Sequence, residues 1–385
     1  MLLPTIYSTQ IITISKEFGV SQNTIQYGIA ICLLGNAITA PIYGALSDNY
    51  GRKYILCVGG VICFVGCIVS ALAFEVYSFQ VGRLLQGLGA GSFSVVAVAS
   101  VQDIRTPGQA AKVMGWTSVF AAPGPIIAPF IGAKISMLMG WRFIFVGAAI
   151  WMLVLIGALR YMIETVPQRT RASALRSPWS QATQRLKLSI RSYRKILGSP
   201  KFMMFALQSP LLVLGFWCAI TVYPVYFPLV FNVSEKDYST NSLYLTGFYL
   251  IGQFFLSRSI NSIGLERTLA LGLKVTVAAG VIHFIIAGVF LSEMAWTFMV
   301  LGTYMIGMSL TFSPSVSKSI SFFEDDKGCA AAVSNSLRKI TSAFGAYLAG
   351  VFDDTTLIPT SIIMIASSVV AFLLFQLRKT KFLLS

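Results

Sequence analysis

The feature that most constrains this chain is a series of long apolar windows. When helical, a stretch of about 20 mostly apolar residues matches the hydrocarbon width of a bilayer. Such windows recur near residues 26–47, 54–74, 79–101, 112–136, 143–162, 202–224, 240–260, 268–291, 294–315, 329–352 and 356–377. Residues 1–7 read as the tail of a further one. Backbone polar groups in hydrocarbon must be satisfied within their own segment, so these windows are expected to be helices. Gly and Pro recur inside them, which bilayer helices tolerate better than soluble ones. Composition agrees. Of 385 residues, 56% are hydrophobic and 11% charged, against roughly 25% charged in a soluble domain. That excludes a typical soluble enzyme, whose surface could not be covered. It also excludes disorder, which needs high charge and low hydrophobicity. The expected class is an all-α integral membrane protein with about eleven complete spans.

The cations give an orientation. Lys and Arg number 29 against 14 acids, for a formal net charge of +15. In a soluble protein this balance would suggest nucleic acid. In a membrane protein cations gather in cytoplasmic loops, and no nucleic-acid partner is expected. If the 47–54 turn is cytoplasmic, that side takes Arg52, Lys53, Arg105, Lys112, Arg160, Arg258, Arg267, Lys318 and Lys327. It also takes the basic central segment 165–201 and the tail cations Arg378, Lys379 and Lys381. The opposite side keeps only Lys16, Lys134, Arg142 and Lys236. The central segment and the C-terminus are therefore expected in the cytoplasm of a multi-pass protein. The central segment divides the chain into 1–164, 165–201 and 202–385. Its Gln184–Arg191 piece is amphipathic and fits a helix on an anionic leaflet.

The sharpest motif is Gly44-Ala-Leu-Ser-Asp48-Asn-Tyr-Gly51-Arg52-Lys53, in the tight loop between the first two complete spans. Gly44 allows two helices to approach closely. Asp48 lies at a helix end, within reach of a neighbouring helix N-terminus or cation. Gly51 permits the turn, and Arg52 and Lys53 can pair with carboxylates or lipid phosphates. A weakened copy stands at Asn261-Ser-Ile-Gly264-Leu-Glu-Arg267, with Leu265 and Glu266 in place of the Arg-Lys pair.

Within the 79–101 window lies Arg83-Leu-Leu-Gln86-Gly87-Leu-Gly89-Ala90-Gly91. A buried arginine in hydrocarbon is expensive unless it has a partner or faces a wet cavity. The alternative is an arginine that snorkels to the interface. Gln86 lies one turn along on the same face. Asp103 closes the same span and can pair with Arg52 or Lys53. Such a pair could hold the inner side closed and break on opening; the plainer alternative is an ordinary helix-end acid. A third motif, Ala122-Pro123-Gly124-Pro125-Ile-Ile-Ala128-Pro129-Phe-Ile-Gly132, packs three prolines into seven residues. It predicts a kinked helix whose freed carbonyls are satisfied by neighbours.

The second half is less specific. Lys274, Arg338 and Lys339 are intramembrane cations. Lys274 and Lys339 can snorkel inward. Arg338, with Asn335 about one turn away, is the better cavity candidate. Trp217, Tyr223, Tyr249 and Gln253 can line a cavity for an aromatic or amphipathic substrate, or simply pack between helices. The lone His283 reads as a packed helix residue, and one histidine cannot build a zinc site. The six cysteines read as small apolar residues. No metal or cofactor is expected, and no phosphate-binding G-x-x-x-x-G-K-[ST] loop is present.

Together these motifs resemble those of the major facilitator superfamily of transporters, over nearly the whole chain and most strongly over 44–145. That resemblance implies two six-helix halves related by a pseudo-two-fold axis, rocking about a substrate near the midplane. Arg83 to Ala90 resembles a motif of proton-coupled drug exporters, in which the arginine is linked to substrate or proton coupling. The proline segment resembles the antiporter motif of exporters. Its AP-xx-AP form resembles the branch named for bicyclomycin and chloramphenicol resistance. Gly140-Trp141-Arg142-Phe143 and Arg194-Lys195-Ile-Leu-Gly-Ser-Pro200 resemble that branch too. The implied protein is a monomeric proton-coupled efflux transporter of the bacterial cytoplasmic membrane. Metabolite uptake, siderophore export and a transport-inactive scaffold or receptor remain alternatives. The intact Asp48, Arg52, Arg83 and Asp103 argue against the inactive one.

None of the 14 acids falls at mid-membrane, where a proton-coupled exporter needs a titratable group. In the resembled branch an acid precedes a stretch like Met1-Leu2-Leu3-Pro4. The expectation is therefore a truncated first helix, with its proton carrier upstream of residue 1.

Overall fold

A computed structural model describes residues 3–104, 124–165, 194–288, 294–323, 327–352 and 356–382. Among them there is no strand. After turns at residues 3–7 and a 3-10 turn (Ser8–Gln10) come α1 (Ile11–Phe18), α2 (Gln22–Tyr50), α3 (Arg52–Ala71), α4 (Val76–Ile104), α5 (Gly124–Met139) and α6 (Arg142–Ala158). The second group is α7 (Pro200–Ala206), α8 (Gln208–Phe231), α9 (Glu235–Ile263), α10 (Leu265–Gly288), α11 (Met294–Ile320), α12 (Lys327–Ala349) and α13 (Ile358–Phe382). Eight helical segments among the described residues are long and apolar enough to cross a membrane. α9 and α12 have the length but more polar composition, at 29 and 23 residues. The sequence reading ended its first element at residue 7, whereas the structure carries helix on through α1 to Phe18. Most of the basic central segment (166–193) lies outside the described residues.

The helix starts follow local chemistry. Ser21, Ser199 and Ser234 each accept a hydrogen bond from the backbone N–H three residues on, capping α2, α7 and α9. Such caps satisfy donors that a helix start leaves open. Prolines sit inside α2 (Pro41), α5 (Pro129), α8 (Pro224, Pro228) and α11 (Pro314). Gly51 and Gly264 hold φ of +105° and +82° at the α2–α3 and α9–α10 turns. An L side chain is strained there, so each turn needs its glycine.

The helices form two packed groups. In the first, α4 lies between α2 and α3, and α6 packs on α3. In the second, α10 lies between α11 and α13, and α8 packs on α12 and α13. The groups meet where α2 packs on α12 and α5 on α9. At the end remote from the Gly51 turn, Tyr27 Oη donates to the Gly350 carbonyl at 2.9 Å. Its ring stacks on Tyr347 with centroids 5.5 Å apart.

Candidate functional site

Three constellations bring the chemistry-bearing residues together. The first surrounds the Gly51 turn. Arg52 is almost fully buried. Its Nε donates to Asp103 Oδ2 at 3.0 Å, tying the start of α3 to the end of α4. A second guanidinium nitrogen donates to Ser47 Oγ at 2.6 Å, back onto α2. Thr165 Oγ1 donates to the same Asp103 oxygen at 2.6 Å. Burial works against the Asp103 charge, but the Arg52 and Thr165 hydrogen bonds and the Arg52 charge outweigh it. The carboxyl is held below its ordinary range. Glu164 accepts from the Arg52 backbone N–H at 2.9 Å and from that of Lys53 at 3.2 Å. It caps α3 with a carboxylate where the helix dipole favours one. Lys53 Nζ donates to the Arg160 carbonyl at 3.1 Å. Gly44 lies on α2 facing Val95 of α4. The Asp48 side chain lies outside the described residues.

The second constellation is built on Arg83, in the second turn of α4 at the opposite end. Arg83 is fully buried, so it does not snorkel. Its Nη2 donates to the carbonyls of Leu3 and Pro4 at 3.0 and 3.1 Å, and its Nε to that of Gly28 at 3.4 Å. Its Nη1 donates to Gln86 Oε1. The guanidinium lies 4.7 Å from the Tyr7 ring centroid and 5.9 Å from that of Phe145. These aromatic faces help to hold the buried cation. Gln86 in turn donates to the Gly66 carbonyl at 3.1 Å and Ser70 Oγ at 3.0 Å, both on α3. The two side chains thus join α2, α3, α4 and the 3–7 segment.

That segment also packs against the proline-bearing helix. A methyl group added at Gly132 would fall on the Ile6 carbonyl, so the glycine is needed for the approach. Ser136 Oγ donates to Gln10 Oε1 at 2.7 Å. Gly124 begins α5 and Pro129 is buried within it. Pro123 and the Pro125 side chain lie outside the described residues. At the same end Glu17 accepts from Trp141 Nε1 at 2.6 Å and from Arg142 at 2.5 Å. Burial opposes the Glu17 charge, yet these two bonds and the Arg142 charge hold its carboxyl below the ordinary range.

The third constellation lies in the second group of helices. Arg338 of α12 donates to Asn335 Oδ1 at 2.5 Å. Its guanidinium lies 4.7 Å from the Phe312 centroid on α11. On α9, Gln253 Nε2 donates to Tyr249 Oη at 2.9 Å. Lys339 is buried, whereas Lys274 is exposed on α10. Trp217 is buried on α8, edge-on to Phe216 with centroids 6.4 Å apart. Tyr223 is placed apart from this group, in the packed interior of α8, α10 and α13. It meets His283 Nε2 at 2.5 Å, and His283 Nδ1 meets Ser361 Oγ at 2.6 Å. Ser361 donates its own proton to the Leu357 carbonyl at 2.8 Å, so it accepts from Nδ1–H and Tyr223 donates to Nε2. The histidine is a packed helix residue with both ring nitrogens satisfied. All six cysteines are free.

Two membrane-helix groups, a Gly-Arg-Lys turn after the first long helix and its Gly264 counterpart define one architecture, and the family profile described as Major Facilitator Superfamily matches residues 2–346. The chain belongs to the major facilitator superfamily. It is a multi-pass membrane transporter and not an enzyme. The multidrug resistance protein MdtL of Vibrio parahaemolyticus is 25% identical, covering 98% of this chain and 93% of its own length. The chloramphenicol resistance protein CraA of Acinetobacter baumannii is 25% identical over 80% of this chain and 71% of its own length. The fold is similar to the partially occluded, inward-open conformation of the Escherichia coli xylose transporter XylE. That match has a TM-score of 0.72 at 15% identity and covers 96% of this chain and 92% of that one.

Several partners in these constellations have weak sequence signals. Glu164 is recognisable only as an acid following the 143–162 window. Tyr7, which covers Arg83, sits in a stretch read as a span tail. Neither Tyr27 nor Gly350 belongs to any motif.

Proposed function

We propose that this transporter exports small amphipathic or aromatic molecules from the bacterial cytoplasm in exchange for protons, as a monomer. The observation that carries this reading is the near full-length similarity to a multidrug resistance protein. The Arg83–Gln86 pair, buried in a motif like that of proton-coupled exporters, supports it. The excess of cations at the Gly51 end supports a cytoplasmic location for that end. Arg52 and Asp103 then stabilise the inner face of the first half, while Tyr27 and Gly350 join the halves at the outer face. Substrate passes between residues 1–164 and 202–385, which rock about it. Arg83 couples this movement to substrate or proton binding. Asp103 stays ionised at the inner face, held so by Arg52 and Thr165, and opening of that face breaks its pair with Arg52.

The test is drug susceptibility of a hypersensitive bacterial strain expressing the chain, the Arg83→Ala variant or an empty vector. The panel is chloramphenicol, ethidium and nalidixic acid. Expression is expected to raise the inhibitory concentration of at least one compound, and Arg83→Ala to return it to the vector value. Equal susceptibility of all three strains to every compound, with the protein present in the membrane, would overturn the export reading.

A further inference from the structure

We infer that the second half carries a mid-membrane site for the anionic group of an aromatic small molecule, a carboxylate or phosphate, with Arg338 as its charge partner. This rests on the reading that substrate passes between the two halves, and it specifies the substrate's charge.

Arg338 lies eleven residues from either end of α12 (Lys327–Ala349). Tyr249 lies fourteen from either end of α9 (Glu235–Ile263). Both are at the centres of their helices. α9 and α12 are the helices of the second half that pack on α5 and α2 of the first. Arg338 on α12 and the Gln253–Tyr249 pair on α9 are therefore carried by the two helices that form the seam between halves.

From residue 202 onward the cations more than five residues from a helix end are Lys274, Arg338 and Lys339. The acids there, Glu235, Asp237, Glu266, Glu293, Glu324, Asp325, Asp326, Asp353 and Asp354, all lie in loops or at helix ends. Lys274 is exposed on α10, which leaves Arg338 and the adjacent Lys339 to set the field at the seam. Among the described residues no carboxylate pairs with Arg338; its partners are an amide oxygen and an aromatic face. A cation at this depth is expensive unless it opens to a wet or liganded cavity, and Arg338 is only half-buried. A guanidinium has five N–H donors in a planar fork suited to a carboxylate or phosphate. The Asn335 bond uses one. Phe312 offers a ring face beside it, so the matching ligand joins an aromatic body to an anionic group. A cationic ligand would meet repulsion here.

The experiment is calorimetric binding to the purified full chain in nanodiscs, without any gradient. The probes are 1-naphthoate, its neutral isostere 1-naphthamide and the cation 1-naphthylmethylammonium. Naphthoate is expected to bind about tenfold tighter than the amide, as a charge-assisted fork implies, and the cation weakest. Arg338→Gln should remove the naphthoate advantage and leave amide binding unchanged, while Arg338→Lys should restore part of it. Equal binding of amide or cation and naphthoate, binding of none, or an unchanged ratio in Arg338→Gln would overturn the inference. If Arg338→Gln does not purify folded, the probe ranking on the unaltered chain decides. Efflux of neutral or cationic compounds with no anion preference would sink this inference and leave the export reading standing. Arg338-dependent anion binding with no gradient-driven efflux would do the reverse.

Discussion

The Gly51 and Gly264 turns have the same backbone and opposite electrostatics. Each glycine has a positive φ and separates a 29-residue helix from the next. In each half an ion pair links the start of that next helix to the end of the one after it. In the first half it is Arg52 on α3 with Asp103 on α4, at 3.0 Å and with Arg52 almost buried. In the second it is Glu266 on α10 with Lys318 on α11, at 3.6 Å and more exposed. The sign is reversed and the seat is shifted by one residue, since Leu265 follows Gly264 directly. Repetition preserved the turn, which sterics fix. It did not preserve the charges, whose worth depends on burial. The first half adds Ser47, Thr165 and Glu164 around its pair. The second is expected to be the softer of the two inner faces.

Substitutions can break that comparison. Arg52→Ala removes a nearly buried guanidinium that ties Asp103 to Ser47 and should cost about 1–2 kcal/mol. A drop in the thermal midpoint of the nanodisc-held protein, and lost drug resistance in cells, would report it. Gly51→Ala and Gly264→Ala should each cost about 1–2 kcal/mol, because both demand the same left-handed conformation. Unequal melting shifts between those two would contradict a shared turn. Acid provides a third probe. The Asp103 carboxyl is held below its ordinary range. Its contribution to stability is therefore present above the unfolded value of about 3.9 and is lost as pH falls through the lower folded value. Thermal melts between pH 6 and pH 3 should show this loss, and Asp103→Asn should remove that part of the acid sensitivity. The smallest effect belongs to the second half. Glu266→Ala should shift stability by no more than about 0.5 kcal/mol, as for exposed pairs. Exchanging the two residues, Glu266→Lys with Lys318→Glu, should be nearly silent by the same measurement. A large effect of either would place this turn on a par with the first.

Much of this organisation was readable from the residues. Apolar length located the long helices, because hydrocarbon admits little else. The glycines of both turns were visible because a positive φ selects them. Arg83 with Gln86, and Asp103 as a partner for Arg52, were legible because a charge in or beside hydrocarbon must find a partner. What stayed hidden depends on tertiary contact between ordinary residues. The carbonyls of Leu3, Pro4 and Gly28 around Arg83 leave no trace in side-chain pattern. Tyr27 donates to a backbone oxygen 323 positions away. Tyr223 looked like a lining group, but its place in the interior is set by His283 and Ser361, on helices that sequence spacing does not bring together.

The most direct test of the transport account is uptake into everted membrane vesicles whose lumen is acidified by respiration. Radiolabelled 1-naphthoate and fluorescent ethidium serve as probes. The account predicts that at least one accumulates only when the chain is present, leaves when nigericin dissipates the pH gradient, and fails to accumulate with Arg83→Ala. Accumulation of both probes that is the same with and without the chain, or that survives nigericin, would contradict it.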